Sequence, residues 1–360
     1  MPMNTPLVKE PLKTRNNHLA DHAVSSISRG LRQASVGICA ALCLMSVCQS
    51  ARAQASSNWI GTDGQFNEAG NWSGTPPDTT TSNLQLVFGS GGTAGELDMN
   101  ANVSVGQLLF NTGGYAIYGN VAPGPDDVIT IAGQLGLAIS STATGTTTIN
   151  APVSFTGSGN VYIQQSGGGK TILEGYILNA SGNYQQLIFQ NYTSGTGVIQ
   201  VGWSNSGNTT YNGNLLVQPQ TQLLLNSGRG SAFGSGNEVF LNGGQLAIGT
   251  SSVTTQSLGL LYLYQTSSLN YLLGAGSTTV AGQFQFTGIS GLSSTTQLDV
   301  FNWNNPTNAA NLDKLFAASV ANVTSIVFYA GANASGPIMG VGVQNGAEVD
   351  VSPTGPDGLQ

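Results

Sequence analysis

The chain has 360 residues, 40% of them hydrophobic and only 7% charged, with 50 glycines, three cysteines and two histidines. Its formal charge of −7 and nine basic side chains argue against a nucleic-acid partner, because neutralising phosphates takes Lys and Arg. The glycines follow no G-x-y period, which excludes collagen, and the apolar residues recur as alternating pairs, which disordered chains lack.

The first 53 residues read as a leader. Arg29 and Arg32 precede the apolar run VGICAALCLMSV (36–47), and Ala51-Arg52-Ala53 follows as a small-x-small site. This predicts a secretory signal peptide with a long leading region, cleaved between Ala53 and Gln54. A start codon placed too early accounts for the length equally well. Lipoprotein processing at Cys48 is the weaker alternative, since Val47 is bulky for it. The run is shorter than the ~20 residues of a membrane helix, so no span is expected in the mature chain. Cleavage would remove every cysteine (Cys39, Cys43, Cys48) and both histidines (His18, His22). Lys170, Arg229 and Lys314 would then face fourteen acidic residues, a net charge of −11. Such a chain has no Ser–His or Cys–His nucleophile, no zinc ligand set and no disulfide framework.

Residues 54–80 are expected to form an N-terminal cap in which Trp59 and Trp72 hide the open end of the following coils. Strand-like runs then succeed one another: LQLVFG (84–89), VSVGQLLF (103–110), YAIYG (115–119), DVITIAG (127–133), TTTINAPVSF (146–155), NVYIQQ (160–165), KTILEGYIL (170–178), QQLIFQ (185–190) and VIQVGW (198–203). LGLLYLYQ (258–265), STTVAGQFQF (277–286) and SIVFYAG (325–331) come later. Gly, Asn, Ser or Pro fills nearly every gap, as turn preference requires. The nearest approach to a helical stripe is NLDKLFAASV (311–320), which predicts one short helix.

The clearest pattern lies at 210–249. Leu215 and Val217 are matched by Val239 and Leu241, 24 residues on; Leu223 and Leu225 are matched by Leu246 and Ile248, 23 on. Each pair has the period of two that turns both side chains to one face of a strand. Short strands and turns recurring at this interval describe a β-solenoid, with roughly nine coils over 81–290 and a closing segment over 291–360. A β-sandwich or jelly roll is the alternative, since both also alternate short strands with turns.

The same stretch resembles the autotransporter-associated β-strand repeat, also called the passenger-associated transport repeat. The matching positions are Tyr211 and Gly213, Leu223 to Leu225, the SAFGSG turn at 231–236, and the V-x-L-N-G-G-x-L run from Val239 to Leu246. The segment NWIGTDGQFNEAGNWSGTPPD resembles the W-x-G…N-W…P-x-D opening of such proteins through Trp59, Asn71, Trp72, Pro77 and Asp78. The segment from 298 to 331 is similar to the closing part of relatives that carry a PEP-CTERM sorting tail. Here the sequence runs EVDVSPTGPDGLQ instead, so release or non-covalent retention is the expectation. The resemblance implies bacterial export, an extracellular or cell-surface location that includes association with the outer membrane, and no reaction.

The expected product is thus an all-β, right-handed, single-stranded β-helix with a structural or adhesive role. Extracellular polysaccharide or cell-surface components are the expected partners, with self-association through coil ends. No cofactor, metal or catalytic residue is expected. The alternative is a carbohydrate-binding or polysaccharide-cleaving β-helix. Asp126-Asp127 faintly resembles a polygalacturonase acid pair, but the further Asp, the His and the Arg-x-Lys of that family are missing, and a polar turn is the plainer reading. SGGGK (166–170) lacks the rest of a P-loop and reads as a turn. Trp203 and Tyr211 are candidates for stacking on sugars. A groove with two acids within about 10 Å would favour the hydrolase. Asn and Gln stacked between coils would form stiffening amide ladders.

Overall fold

The structure, a computed structural model, describes residues 55–119, 127–132, 136–156, 159–179, 186–202, 211–226, 232–249, 254–272, 282–303, 314–336 and 338–341. All of them belong to the unit Gln54–Gln360. The expected leader and its cleavage site at Ala53 and Gln54 lie outside the described residues.

The chain winds into a right-handed parallel β-solenoid. Its first face is an 11-stranded sheet that starts at Ser56–Asn58 and Gln85–Phe88 and ends at Lys314–Ala317. A third face, also 11-stranded, runs from Glu96–Asp98 to Ile326–Tyr329 and closes with Ile338–Val341. Between them, in the earlier turns, lies a second face of four strands: Val103–Val105, Ile129–Ile131, Val153–Phe155 and Ile177–Asn179. Strands pair in parallel with their counterparts one turn away, which rules out the sandwich and jelly roll, whose neighbours run antiparallel. From Gln85–Phe88 to Leu298–Phe301 the described strands make nine turns, and Lys314–Ala317 with Ile326–Tyr329 adds part of a tenth.

The period-two pattern builds the core. On the first face Leu86, Leu108, Ile139, Ile163, Phe189, Val217, Leu241 and Leu263 are successive register partners, all buried. On the third face Leu97, Ile117, Ile149, Leu173, Val201, Leu225, Ile248 and Tyr271 form the matching column. Burying each such side chain stabilises the fold by about 1.5–3 kcal/mol before chain entropy is counted. The two repeats seen in the sequence are stacked directly: Leu215 and Val217 pair with Val239 and Leu241, and Leu223 and Leu225 with Leu246 and Ile248.

Three runs that read as single strands bend around corners instead. Residues 103–110 break at Gly106, 146–155 break at 150–152, and 170–178 break at 174–176. At the last corner a Cβ on Gly175 would sit 2.1 Å from the Ala151 carbonyl oxygen of the turn beneath, so only glycine stacks there. The expected helix over 311–320 is also corrected. Of its described residues, 314–320, Lys314–Ala317 form a strand paired with the 282–290 strand, with Leu315 and Ala317 both buried, and Val320 bridges Ile289. Period-two burial in an existing sheet outweighs a short helical stripe.

One inward column carries hydroxyls at its early end. Thr147 and Thr171 are register partners of each other, and the column continues as Ile199, Leu223 and Leu246. Thr171 Oγ1 donates to Gln165 Oε1 at 2.7 Å, whereas Thr147 Oγ1 is buried without a hydrogen-bond partner. Thr147→Val, which keeps the shape, is therefore expected to raise the unfolding free energy by about 1 kcal/mol, and Thr171→Val to lower it by a similar amount. Urea midpoints of the two variants, moving in opposite directions, check this.

At the N-terminal end the loop through Asn71 and Trp72 folds over the outermost strand. Ile60 N donates to Asn71 O at 2.9 Å, Ser73 N donates to Asn58 O at 2.9 Å, and Asn58 N donates to Ser73 Oγ at 3.1 Å. Trp72 sits edge-on to Trp59, Phe66 and Phe88, Phe66 also stacks on Phe88, and Phe88 stacks on Phe110 in the next turn. Both indoles are satisfied: Trp59 Nε1 donates to Thr93 O and Trp72 Nε1 to Phe66 O. Edge and core end are both covered, as an unpaired sheet edge demands.

Candidate functional site

Outward side chains repeat in register just as inward ones do, so every turn adds one more copy of a surface position. Amides exploit this. On the third face Gln222 donates to Gln245, Gln245 Nε2 to Ser268 Oγ at 3.0 Å, Asn270 Nδ2 to Gln245 Oε1 at 3.0 Å and Asn302 Nδ2 to Asn270 Oδ1 at 2.7 Å. On the first face Gln190 donates to Gln164 at 3.3 Å and Asn242 to Gln218 at 3.0 Å. These are the amide ladders anticipated from composition.

Beside the first-face amides runs an apolar line. Tyr162, Ile188, Leu216, Phe240 and Tyr262 are successive partners on the outward side. It culminates in three rings: Phe240 lies 5.8 Å from Tyr264 at 19° and 5.9 Å from Tyr262, and the two tyrosines are 5.0 Å apart. Tyr264 is 55% exposed. It follows Tyr262 outward by the period of two and sits at a β-bulge, since Leu241 pairs with Leu263 and Asn242 with Gln265, leaving Tyr264 as the extra residue. The sequence contained a signal for this cluster: aromatics occupy the x positions of V-x-L at 239–241 and L-x-L-x at 261–264.

A separate cleft of about 480 Å³ opens near the capped end, lined by Gln65, Glu96, Asp98, Asn100 and Tyr118 among others. Glu96 and Asp98 project from one side of a three-residue strand and are both exposed. Two residues along a strand span roughly 7 Å of backbone, so the two acids stand close together at the cleft. Burial pushes the Tyr118 phenol above its ordinary range, and the charges of Glu96, Glu174 and Asp98 add to that.

The sequence-derived candidates fare as follows. Trp203 and Asp126 lie outside the described residues. Tyr211 is buried, 2% exposed, with its ring edge-on to Phe233 and its hydroxyl donating to Asn214 O at 3.3 Å. Burial pushes its phenol far up. The expectation that Tyr211 stacks on sugar is corrected: the Tyr-x-Gly motif is a corner, and its ring fills the inside of that corner. Trp303 is also buried, against Tyr271 and Phe328. Asp127 lies just before the Ile129–Ile131 strand, and Gly167–Gly169 form a turn, fastened by Gln165 Nε2 on Ala143 O and Gly167 O. Among the described residues no three His, Cys, Asp or Glu side chains gather as a metal site. None of the described helices is long and apolar enough to cross a membrane.

Asp299 provides a pH handle. Burial raises its carboxyl pKa above 3.8, against hydrogen bonds from Gln297 and Tyr329 that lower it. Between the unfolded and folded values the folded chain holds a proton the unfolded chain has released, so this group subtracts stability as pH rises through that window. Asp299→Asn is therefore expected to melt close to wild type at pH 3.5 and above it at pH 7. A thermal-unfolding series across that range checks the sign.

Comparison with family models, with curated proteins and with solved structures gives no match. Fold and surface together define a class: parallel β-solenoids whose faces present stacked amides beside a line of aromatic and aliphatic side chains.

Proposed function

We propose that the chain is an exported bacterial surface protein of the autotransporter-associated repeat kind, a structural or adhesive β-solenoid that works by contact along its faces. The observation that supports this reading is the register: successive turns repeat the same outward positions, so runs of amides and of apolar side chains stack along the faces. An array of that kind suits a long partner, such as an extracellular polysaccharide or a cell-surface polymer, and its coil ends suit stacking of copies. The test is to express the tagged full chain in a bacterial host, fractionate the cells and shave them with protease. Recovery in the medium, or at the surface in protease-sensitive form, is the expected result. Retention of an intact chain in the cytoplasm would overturn the reading.

A second reading rests on the cleft, where Glu96 and Asp98 stand two residues apart on one side of a strand. Under it, polysaccharide incubated with the protein releases reducing ends, and Glu96→Gln and Asp98→Asn each abolish the release.

A further inference from the structure

We propose that the Phe240–Tyr262–Tyr264 cluster, with the Gln218–Asn242 amide pair beside it, is a binding platform for an uncharged polysaccharide chain. This deepens the adhesive reading and rests on it for its biological setting, though not for its chemistry.

Three features of the cluster point to such a ligand. First, the rings are placed outward by backbone geometry and are not merely left over from the core. Phe240 and Tyr262 hold the same outward position in adjacent turns, and Tyr264, outward two residues on and at a bulge, adds a third ring stacked on Phe240. Bulges are over-represented beside working surfaces. A pyranose presents a flat face of C–H groups, slightly positive, which suits the negative face of an aromatic ring.

Second, the flank supplies what the sugar's edge requires. Asn242 Nδ2 bonds Gln218 Oε1 at 3.0 Å, and each primary amide has two N–H donors and a two-lone-pair carbonyl. The pair can therefore exchange further hydrogen bonds with hydroxyls lying across it. Successive turns repeat the arrangement at about 4.8 Å, a step comparable with the length of one sugar unit, so Leu216, Phe240 and Tyr262 offer consecutive contacts along one chain.

Third, charge selects the kind of polymer. The platform residues carry none, Glu238 on the same strand side is acidic, and the chain as a whole stands at −7. A polyuronate or sulfated glycan meets repulsion there, the cluster and its amide flank carrying no cation among the described residues, whereas a neutral glucan or mannan meets none.

The experiment is native affinity electrophoresis of the purified full chain through gels holding a soluble neutral β-glucan, a galactomannan or, as the anionic contrast, alginate. Retardation by a neutral polymer and none by alginate is expected. The Tyr262→Ala/Tyr264→Ala variant should bind at least about tenfold more weakly, the loss of two aromatic contacts. Tyr264→Trp should retain the retardation, and so should Glu96→Gln/Asp98→Asn, which separates the platform from the cleft. Circular dichroism of each variant confirms that a loss is not unfolding. No retardation by either neutral polymer, retardation undiminished in the double tyrosine variant, or retardation by alginate alone would overturn the proposal. So would sedimentation showing a dimer that the double variant dissolves, because the face would then belong to a second copy. Failure here with surface location intact removes only the ligand; binding here by a cytoplasmic chain removes only the surface role.

Discussion

Trp72→Ala is expected to lower the unfolding free energy by about 3–5 kcal/mol and to promote end-to-end association. Trp72 is 4% exposed and meets three rings, Trp59 at 5.3 Å, Phe66 at 5.5 Å and Phe88 at 5.7 Å. Truncation leaves a large cavity and strips the buried Phe66 carbonyl of its 2.8 Å indole bond. It also loosens the 71–73 loop that occupies the edge of Ser56–Asn58. An uncovered parallel edge is a template for another chain. Trp72→Phe, which keeps most of the volume and loses the hydrogen bond, should cost only about 1–2 kcal/mol. Urea unfolding measures the first effect and light scattering the second. A loss below about 1 kcal/mol in the alanine variant would mean that the cap unfolds separately from the turns behind it.

Asn237→Ala should cost about 3 kcal/mol or more, although it removes only a small side chain. Asn237 is 1% exposed and satisfies three backbone groups: its Oδ1 accepts from Gly234 N at 2.8 Å, and its Nδ2 donates to Tyr211 O at 3.0 Å and Gly213 O at 2.8 Å. One amide thus closes its own turn and ties it to the turn before. Each buried group left unpaired costs about 1–3 kcal/mol. Asn237→Asp is predicted to fail as well, because a carboxylate can accept from Gly234 but cannot donate to the two carbonyls. A urea midpoint for either variant within error of wild type would contradict the account.

The asparagine also illustrates which parts of the molecule were legible in the sequence. Apolar pairs at period two announced the strands, and their recurrence after 23 and 24 residues announced the stacking, because inward columns need matched side chains turn after turn. The corners were less legible. Whether a run such as 170–178 continues or bends depends on what the neighbouring turn does at 151, a contact 24 residues away that no local pattern contains. Tyr211 looked like a surface aromatic because it sits among Asn and Gly, yet its ring fills a corner. The Phe240–Tyr262–Tyr264 cluster was hidden by attention to the inward residues. It lies in the positions between them, and the bulge that leaves Tyr264 without a register partner is not displayed by the sequence.

The direction of the hydrogen bonds has a mechanical consequence. In a parallel solenoid they join one turn to the next, so a pull on the two ends of the stack loads them one turn at a time, like a zipper, and not all together. Each turn of about two dozen residues that peels away releases roughly 80 Å of slack while the remaining turns keep their columns and ladders intact. A stack built this way yields stepwise under load, lengthening at modest tension, where a compact domain sheared across its strands would resist and then fail at once.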